Sequence, residues 1–194
     1  MVGPGREPGL PALPLTVGCS KLSSTTSATL FRMFSAPITI RQADRGDVLE
    51  LVRVRRRMYE DMRYSDAAAL EAMSSLTAEY LNRAVADGSF RAWLACDGDR
   101  VIATGAVLIT AWPAHPYDLE CRRATILNVY TEPGYRRRGI ARQILETMIS
   151  WCKQQGLARL TLHASEDGRR LYESLGFEPS NEMQLNLRES MPDR

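Results

Sequence analysis

Leu127-Asn128-Val129-Tyr130-Thr131-Glu132-Pro133-Gly134-Tyr135-Arg136-Arg137-Arg138-Gly139-Ile140-Ala141 joins an apolar, strand-like run to the start of a helix through a turn rich in arginine. Arg136, Gly139 and Ala141 fit the spacing R/Q-x-x-G-x-G/A. The physics is that of an anion site. The first turn of a helix presents unpaired N–H groups and the positive end of the helix dipole. Gly139 and Ala141 keep that end free of bulk, so a pyrophosphate can approach the backbone. Arg136, Arg137, Arg138 and Arg142 surround it with guanidinium groups, which bind phosphate oxygens in pairs. Arginines ahead of a helix also occur as a plain solvated face, so this stretch alone does not decide the chemistry. A dinucleotide-binding fold is a poor fit, because G-x-G-x-x-G is absent and the strand order does not repeat.

A second constellation lies downstream. A strand over Arg159–Ala164 leads into Ser165-Glu166-Asp167-Gly168-Arg169-Arg170-Leu171-Tyr172-Glu173-Ser174-Leu175-Gly176-Phe177. Here the chain resembles the GNAT (GCN5-related) superfamily of acetyl-CoA-dependent N-acetyltransferases. That family pairs an arginine–glycine loop with a downstream helix ending L-Y-x-x-x-G-F, which Leu171, Tyr172, Gly176 and Phe177 match. The separation of 36 residues between Arg136 and Tyr172 fits as well. In element order the resemblance covers residues 38–187.

The resemblance implies the GNAT acyl-CoA N-acyltransferase fold, with acetyl-CoA as cosubstrate and no metal. It implies that Val129, Tyr130 and Thr131 bond the pantetheine arm through their backbone. Arg136, Arg137, Arg138, Gly139, Ile140, Ala141 and Arg142 would hold the pyrophosphate. The N–H of Val129 would receive the oxyanion. Tyr172 takes the place of the tyrosine that protonates the departing thiolate. Its chemistry suits that role, since a phenol with a pKa of about 10 is still protonated at neutral pH. The alternative is that Tyr172 is an aromatic packed under the strand edge.

Departures from the family pattern matter too. Ser165 stands where many members have Asn, and Gly168 where many have Ala. A glutamate base early on the central strand would fall near Thr125, yet Arg123–Asn128 holds no carboxylate. Glu120, acting through a water, is one candidate base. Otherwise the amine loses its proton to bulk solvent and Glu120 is a surface acid. His163 reads as a core histidine in preference to a proton relay.

In this fold the acceptor cleft would be lined by the end of the first helix, Arg57–Tyr64, and by the loop Trp112–Asp118. Tyr59, Met62 and Asn128 are the expected contacts, with Asn128 equally readable as facing the opposite layer of the sheet. The aromatics and acids of the two segments suit a cationic amine. The run Arg53, Arg55, Arg56 and Arg57 reads either as an acid-recognising patch or as a solvated face paired with Glu50, Glu60 and Asp61. The expected reaction is acetyl transfer to a primary amine of a small molecule or amino acid, by direct attack in a ternary complex. Acetylation of a protein lysine or N-terminus is the alternative. A non-catalytic acyl-CoA-binding or nucleic-acid-binding module is the second.

Around these motifs the chain alternates regularly. Ile38–Arg41 is a short strand, and Asp44 caps a helix carrying Val48, Leu51, Val52, Tyr59 and Met62. A second helix spans Ser75–Ala86, with Leu76, Tyr80, Leu81 and Val85 inward, and stops before Gly88. Phe90–Ala95 and Val101–Thr110 form a hairpin about Asp97-Gly98-Asp99. Ala124–Thr131 is the next strand, and Gly139–Gln155 is a helix whose Ile140, Ile144, Leu145, Met148, Trp151 and Cys152 make one apolar face. Gly168–Leu175 is a short helix, and Met183–Leu187 a last strand. The result is one mixed α/β domain, a central mixed sheet flanked by helices, over residues 37–194.

Residues 1–36 differ, with four of the ten prolines and a Ser/Thr-rich run at Ser20–Ser27, and read as a disordered leader. The 194 residues carry 25 basic and 23 acidic side chains, a net of +2. Residues 1–37 account for that surplus, with Arg6, Lys21 and Arg32 against Glu7. A neutral body argues against a nucleic-acid partner. No apolar run reaches the ~18 residues of a membrane span. Cys19, Cys96, Cys121 and Cys152 show neither zinc-ligand nor disulfide spacing, so a reduced, cytoplasmic chain is expected. A monomer or homodimer is the expected state.

Overall fold

The computed structural model describes residues 37–185 and 187; the leader expected over 1–36 lies outside them. Among the described residues, five strands form one sheet in the order β1-β2-β3-β4-β5. They are β1 (Thr39–Gln42), β2 (Phe90–Asp97), β3 (Arg100–Ala111), β4 (Arg122–Thr131) and β5 (Leu160–Leu162). Pairing is antiparallel from β1 to β4 and parallel between β4 and β5. Four α-helices accompany them: α1 (Val48–Asp61), α2 (Ala67–Asp87), α3 (Ile140–Gln154) and α4 (Glu166–Glu173).

Period-2 side chains divide the sheet into two apolar faces. Phe90, Ala92 and Leu94 pack with Leu51, Val54, Leu81 and Ala84 of α1 and α2. Trp93, Ala95, Ala103 and Val107 pack with Ile140, Ile144, Leu145 and Met148 of α3. The expected apolar face of α3 is therefore its buried face, with Trp151 half-buried at its rim. No helix of the described residues is long and apolar enough to cross a membrane.

Local chemistry explains the element ends. Asp44 caps a 3-10 turn, Arg45–Asp47, that feeds α1, and its box partner Asp47 bonds back to the Asp44 N–H at 2.9 Å. The guanidinium of Arg41 grips Asp47 with two 2.7 Å bonds and holds its carboxyl below the usual range. α2 begins eight residues earlier than expected, because Asp66 accepts from the N–H groups of Ala68 and Ala69. Its alanine-rich first half carries too weak an apolar period to be read as helix. Gly88 ends it in the left-handed conformation, φ 82°.

Two expectations fail. Leu76 and Tyr80 do not point into the core; they are 66% and 40% exposed. Met183–Leu187 forms no strand where it is described, and Met183, Leu185 and Leu187 are all exposed. Alternation alone does not make a strand. With no apolar layer to cover those side chains, nothing offsets the entropy of ordering them.

β4 carries an extra residue. Thr104 pairs with Tyr130 and Ala106 with Leu127, so Gly105 alone stands opposite both Asn128 and Val129. Asn128 takes up the surplus in the left-handed region at φ 55°, which Asn tolerates better than most residues. The bulge reverses the phase of the strand. Ala124 and Ile126 face α3, whereas Tyr130 faces α1. Gly105 is required here, because a Cβ on it would lie 2.8 Å from both Ile144 Cγ2 and Met148 Sδ, two side chains with no exposure. Gly105→Ala should therefore destabilise the protein by about 1–3 kcal/mol through overpacking. The check is a lower urea midpoint with an unchanged m-value.

Candidate active site

β4 and β5 pair only over Ala124–Ile126 and Leu160–Leu162, yet β4 continues to Thr131. The β5-facing edge of Leu127–Thr131 therefore has no strand partner, and its backbone groups are open to an extended ligand. Val129, Tyr130 and Thr131 lie on this edge. Thr131 Oγ1 is buried and has no hydrogen-bond partner among the described residues.

The edge runs into the arginine–glycine turn. Gly139 sits at the N-cap of α3 with φ 78°, and no side chain caps the helix. The first backbone bond of this end runs from the N–H of Gln143 to the carbonyl of Gly139, 3.1 Å, which leaves the N–H groups of Ile140, Ala141 and Arg142 free. Open space surrounds Gly139, with nothing within 4 Å of where a Cβ would stand. These residues fit the phosphates of coenzyme A as an anion held by backbone N–H groups.

The four arginines play different parts. Arg136 turns back toward α1, where it pairs with Asp61, donates to the Thr131 carbonyl at 2.9 Å and lies over the Tyr130 ring. Arg138 donates to the Gly134 carbonyl and stacks on Tyr135. Both brace the turn. Arg142 donates to Ser174 Oγ at 2.6 Å, which ties the start of α3 to the end of α4. Arg137, exposed and left-handed at φ 63°, makes no hydrogen bond or ion pair among the described residues. Arg142 also lies 3.7 Å from Glu146, so the charge left without a carboxylate beside the helix end is that of Arg137 and Arg138.

Tyr172 stands on α4, whose N-cap is Ser165, and is buried against the α3 layer. Phe177 packs edge-on to its ring at 6.0 Å, placed by the turn in which the N–H groups of Leu175 and Phe177 both bond the Tyr172 carbonyl. Burial pushes the phenol pKa up from its ordinary value. Gly168 makes room for the ring, since a Cβ there would meet it at 2.7 Å. The departure from alanine at this position is thereby explained.

Glu120 does not join this group. It bonds Arg122 at 2.9 Å and lies near Gly156, past the C-terminal end of α3, whereas Gly139 opens the other end. A helix of 15 residues separates them, about 22 Å. The loop Trp112–Asp118 is also remote. It precedes β4, so it lies at the opposite end of that strand from the bulge, about 20 Å away, with Trp112 under Arg123. His163 is exposed, not a core residue.

A cavity of about 630 Å³ opens on the α1–α2 side of the bulge. Leu127 and Asn128 form its floor, with Arg55, Met73, Leu76 and Tyr80 among its walls. Asn128 Oδ1 accepts a bond from Arg55, which also donates to the Tyr59 hydroxyl at 3.1 Å. Asn128 and Tyr59 are thus brought together, through Arg55. Met62, at the C-cap of α1, is exposed and does not line the cavity. The walls from α2 went unread in the sequence. Arg55, in contrast, was legible by spacing, because Leu51, Val52, Met58 and Tyr59 occupy its helical neighbours and none is acidic.

The sequence pattern of the Acetyltransferase (GNAT) family matches residues 52–177, more than half of the chain. The chain belongs to that family. An N-acetyltransferase of Bacillus subtilis, YsnE, is 31% identical over 91 residues, covering 44% of this chain and 54% of its own. The [Ribosomal protein bS18]-alanine N-acetyltransferase of Escherichia coli is 39% identical over 57 residues, 28% of this chain and 38% of its own. The chain thus spans about half or less of the length of these curated relatives. Two solved structures are similar over most of its length. A GCN5-related N-acetyltransferase from Ralstonia eutropha superposes with a TM-score of 0.71 at 30% identity, covering 78% of this chain and 99% of that one. An acetyltransferase from Clostridium acetobutylicum, solved with acetyl-CoA, gives 0.72 at 29% identity, covering 78% and 97%. No group of three or more potential metal ligands occurs among the described residues.

Gly139→Glu should weaken coenzyme A binding at least about tenfold, by setting a carboxylate where the helix end attracts an anion. Titration calorimetry measures this. Gly139→Ala is the control; the left-handed strain lowers stability by about 1–3 kcal/mol, while the affinity loss stays smaller.

Proposed function

We propose that this protein transfers the acetyl group of acetyl-CoA to a primary amine of a small molecule, by direct attack in a ternary complex. The observation that carries this reading is the meeting of two features at the bulge. On one side the unpaired edge Leu127–Thr131 leads to the open end of α3. On the other the cavity floored by Leu127 and Asn128 reaches the same strand. Its volume of about 630 Å³ suits a small ligand. The relative that acetylates a ribosomal protein alanine matches only 28% of this chain, so it lends protein acetylation little support. A cytoplasmic setting accords with the three free cysteines among the described residues.

In the reaction, the nitrogen of the neutral amine attacks the thioester carbonyl and the carbon–sulfur bond breaks. The Tyr172 hydroxyl gives its proton to the departing sulfur, and the ammonium nitrogen loses one proton to water. The N–H of Val129 receives the oxyanion between these events. Water takes the base's part, because Glu120 lies beyond the far end of α3.

Tyr172→Phe should slow thiol release from acetyl-CoA by about 10²–10⁴-fold, the usual worth of a positioned general acid. The pH profile is a further check. A proton donor must remain protonated, and burial raises this phenol above about 10. Wild-type turnover should rise with pH as the amine deprotonates, and fall only above about pH 10. Unchanged thiol release in the mutant would remove Tyr172 from the mechanism.

A further inference from the structure

Four arginines stand within one and a half turns of α1, and three of them are neutralised. Arg53 pairs with Glu50 at 2.9 Å and Glu132 at 3.1 Å. Arg56 pairs with Glu60 at 3.1 Å and Glu71 at 2.7 Å, and Arg57 with Glu60 at 3.3 Å. Arg55 alone in this run meets no carboxylate among the described residues. Its two hydrogen bonds go to neutral oxygens, Asn128 Oδ1 and the Tyr59 hydroxyl. It is half-buried, at the wall of a cavity whose lining holds no Asp or Glu.

A guanidinium carries five N–H donors, so three of those of Arg55 remain unused, and the amide NH₂ of Asn128 has no acceptor among the described residues. Both side chains line the cavity, beside the bulge. The opposite wall is apolar, from Met73, Leu76 and Tyr80, and includes two of the exposed side chains that the core does not explain. A cation set in such a place favours an anion with an apolar body. The planar, paired donors favour a carboxylate.

Resting on the acetyltransferase reading above, we propose that the acceptor is a carboxylate-bearing amine with an apolar body, the chemistry of a hydrophobic α-amino acid. Arg55 and Asn128 hold the carboxylate, the apolar side chain lies along Met73, Leu76 and Tyr80, and the amine is turned toward the edge of β4. Arg55 is then the specificity-determining residue. It selects against the purely cationic amines that the aromatics and acids at the end of α1 suggest from sequence.

The test uses matched probes: L-leucine, L-methionine and L-phenylalanine, each with its carboxamide and its decarboxylated amine, and spermidine as a cationic amine. Thiol release from acetyl-CoA gives kcat and KM, and calorimetry gives binding of each probe to the enzyme alone. At least one free amino acid should exceed its carboxamide and its decarboxylated partner about tenfold or more in kcat/KM, because a site built to bond a group rejects the analogue lacking it. Arg55→Gln should erase that preference mainly through KM, Arg55→Lys should restore part of it, and both variants should keep the wild-type affinity for coenzyme A, which shows that they fold. Equal turnover of the carboxamide or the decarboxylated amine, a preference for spermidine, or equal loss on all probes in Arg55→Gln would overturn the proposal. Failure of every amine to release thiol, together with no binding of coenzyme A, would instead sink the acetyltransferase reading. The carboxylate site is then judged by calorimetry alone: amino-acid binding lost in Arg55→Gln upholds it, and no binding to the wild type overturns it.

Discussion

One extra residue in the central strand organises most of what surrounds it. β4 must absorb Asn128 opposite Gly105, and three consequences follow. Tyr130 is rotated to the α1 face, where its hydroxyl bonds Asp61 and its pKa is pushed up to about 12 by burial and that carboxylate. Asn128 leaves the alternation of the strand and meets Arg55. β5 keeps only the three pairs before the bulge, so the strand beyond has an open edge. Gly105 permits all three, because α3 rests directly on its backbone. A bulge is usually a local irregularity; this one sets the position of both the open edge and the cavity.

Around the site, several charges act as internal bracing. Asp61 receives Arg136 and the Tyr130 hydroxyl, so the arginine turn is fastened to the end of α1 across the sheet edge. Glu132, almost fully buried, takes Arg53, which also donates to the Val101 carbonyl at 3.1 Å. Such pairs are partly exposed, and each adds little to stability on its own. Their effect is geometric: they hold the turn before α3 so that its N–H groups face outward. Arg55 and Arg137, each without a carboxylate partner among the described residues, differ from the paired arginines beside them in α1 and in the turn before α3.

Much of this was legible in the sequence, and the reasons differ by element. The strands of the central hairpin and the apolar face of α3 follow from periodicity, which packing against a large core enforces. The arginine–glycine turn and the Leu171–Phe177 helix were recognisable because backbone chemistry constrains their residue types. Met183–Leu187 misled because alternation carries no information about whether a layer exists to cover it. The resemblance puts the loop Trp112–Asp118 on the acceptor side, although it precedes β4 and the arginine turn follows it. A strand has two ends, and topology already separated these loops. The bulge itself left a faint mark, an Asn in an apolar strand, whose meaning depends on the single glycine across from it in β3.

The division of the site between two faces also follows from the bulge. In an unbroken strand, neighbouring side chains alternate, so Leu127 and Asn128 would point to opposite layers. Here both line the cavity on the α1–α2 side, while Val129 packs toward α3. The edge between them is free of β5. On the proposed reading, a thioester lying along that edge has its leaving sulfur toward α4 and Tyr172, and its carbonyl exposed to the cavity. Nucleophile and leaving group would then be handled by different layers of the fold. Changes in α2 could retune the acceptor without disturbing the coenzyme end, because the two share only the backbone of Leu127–Val129.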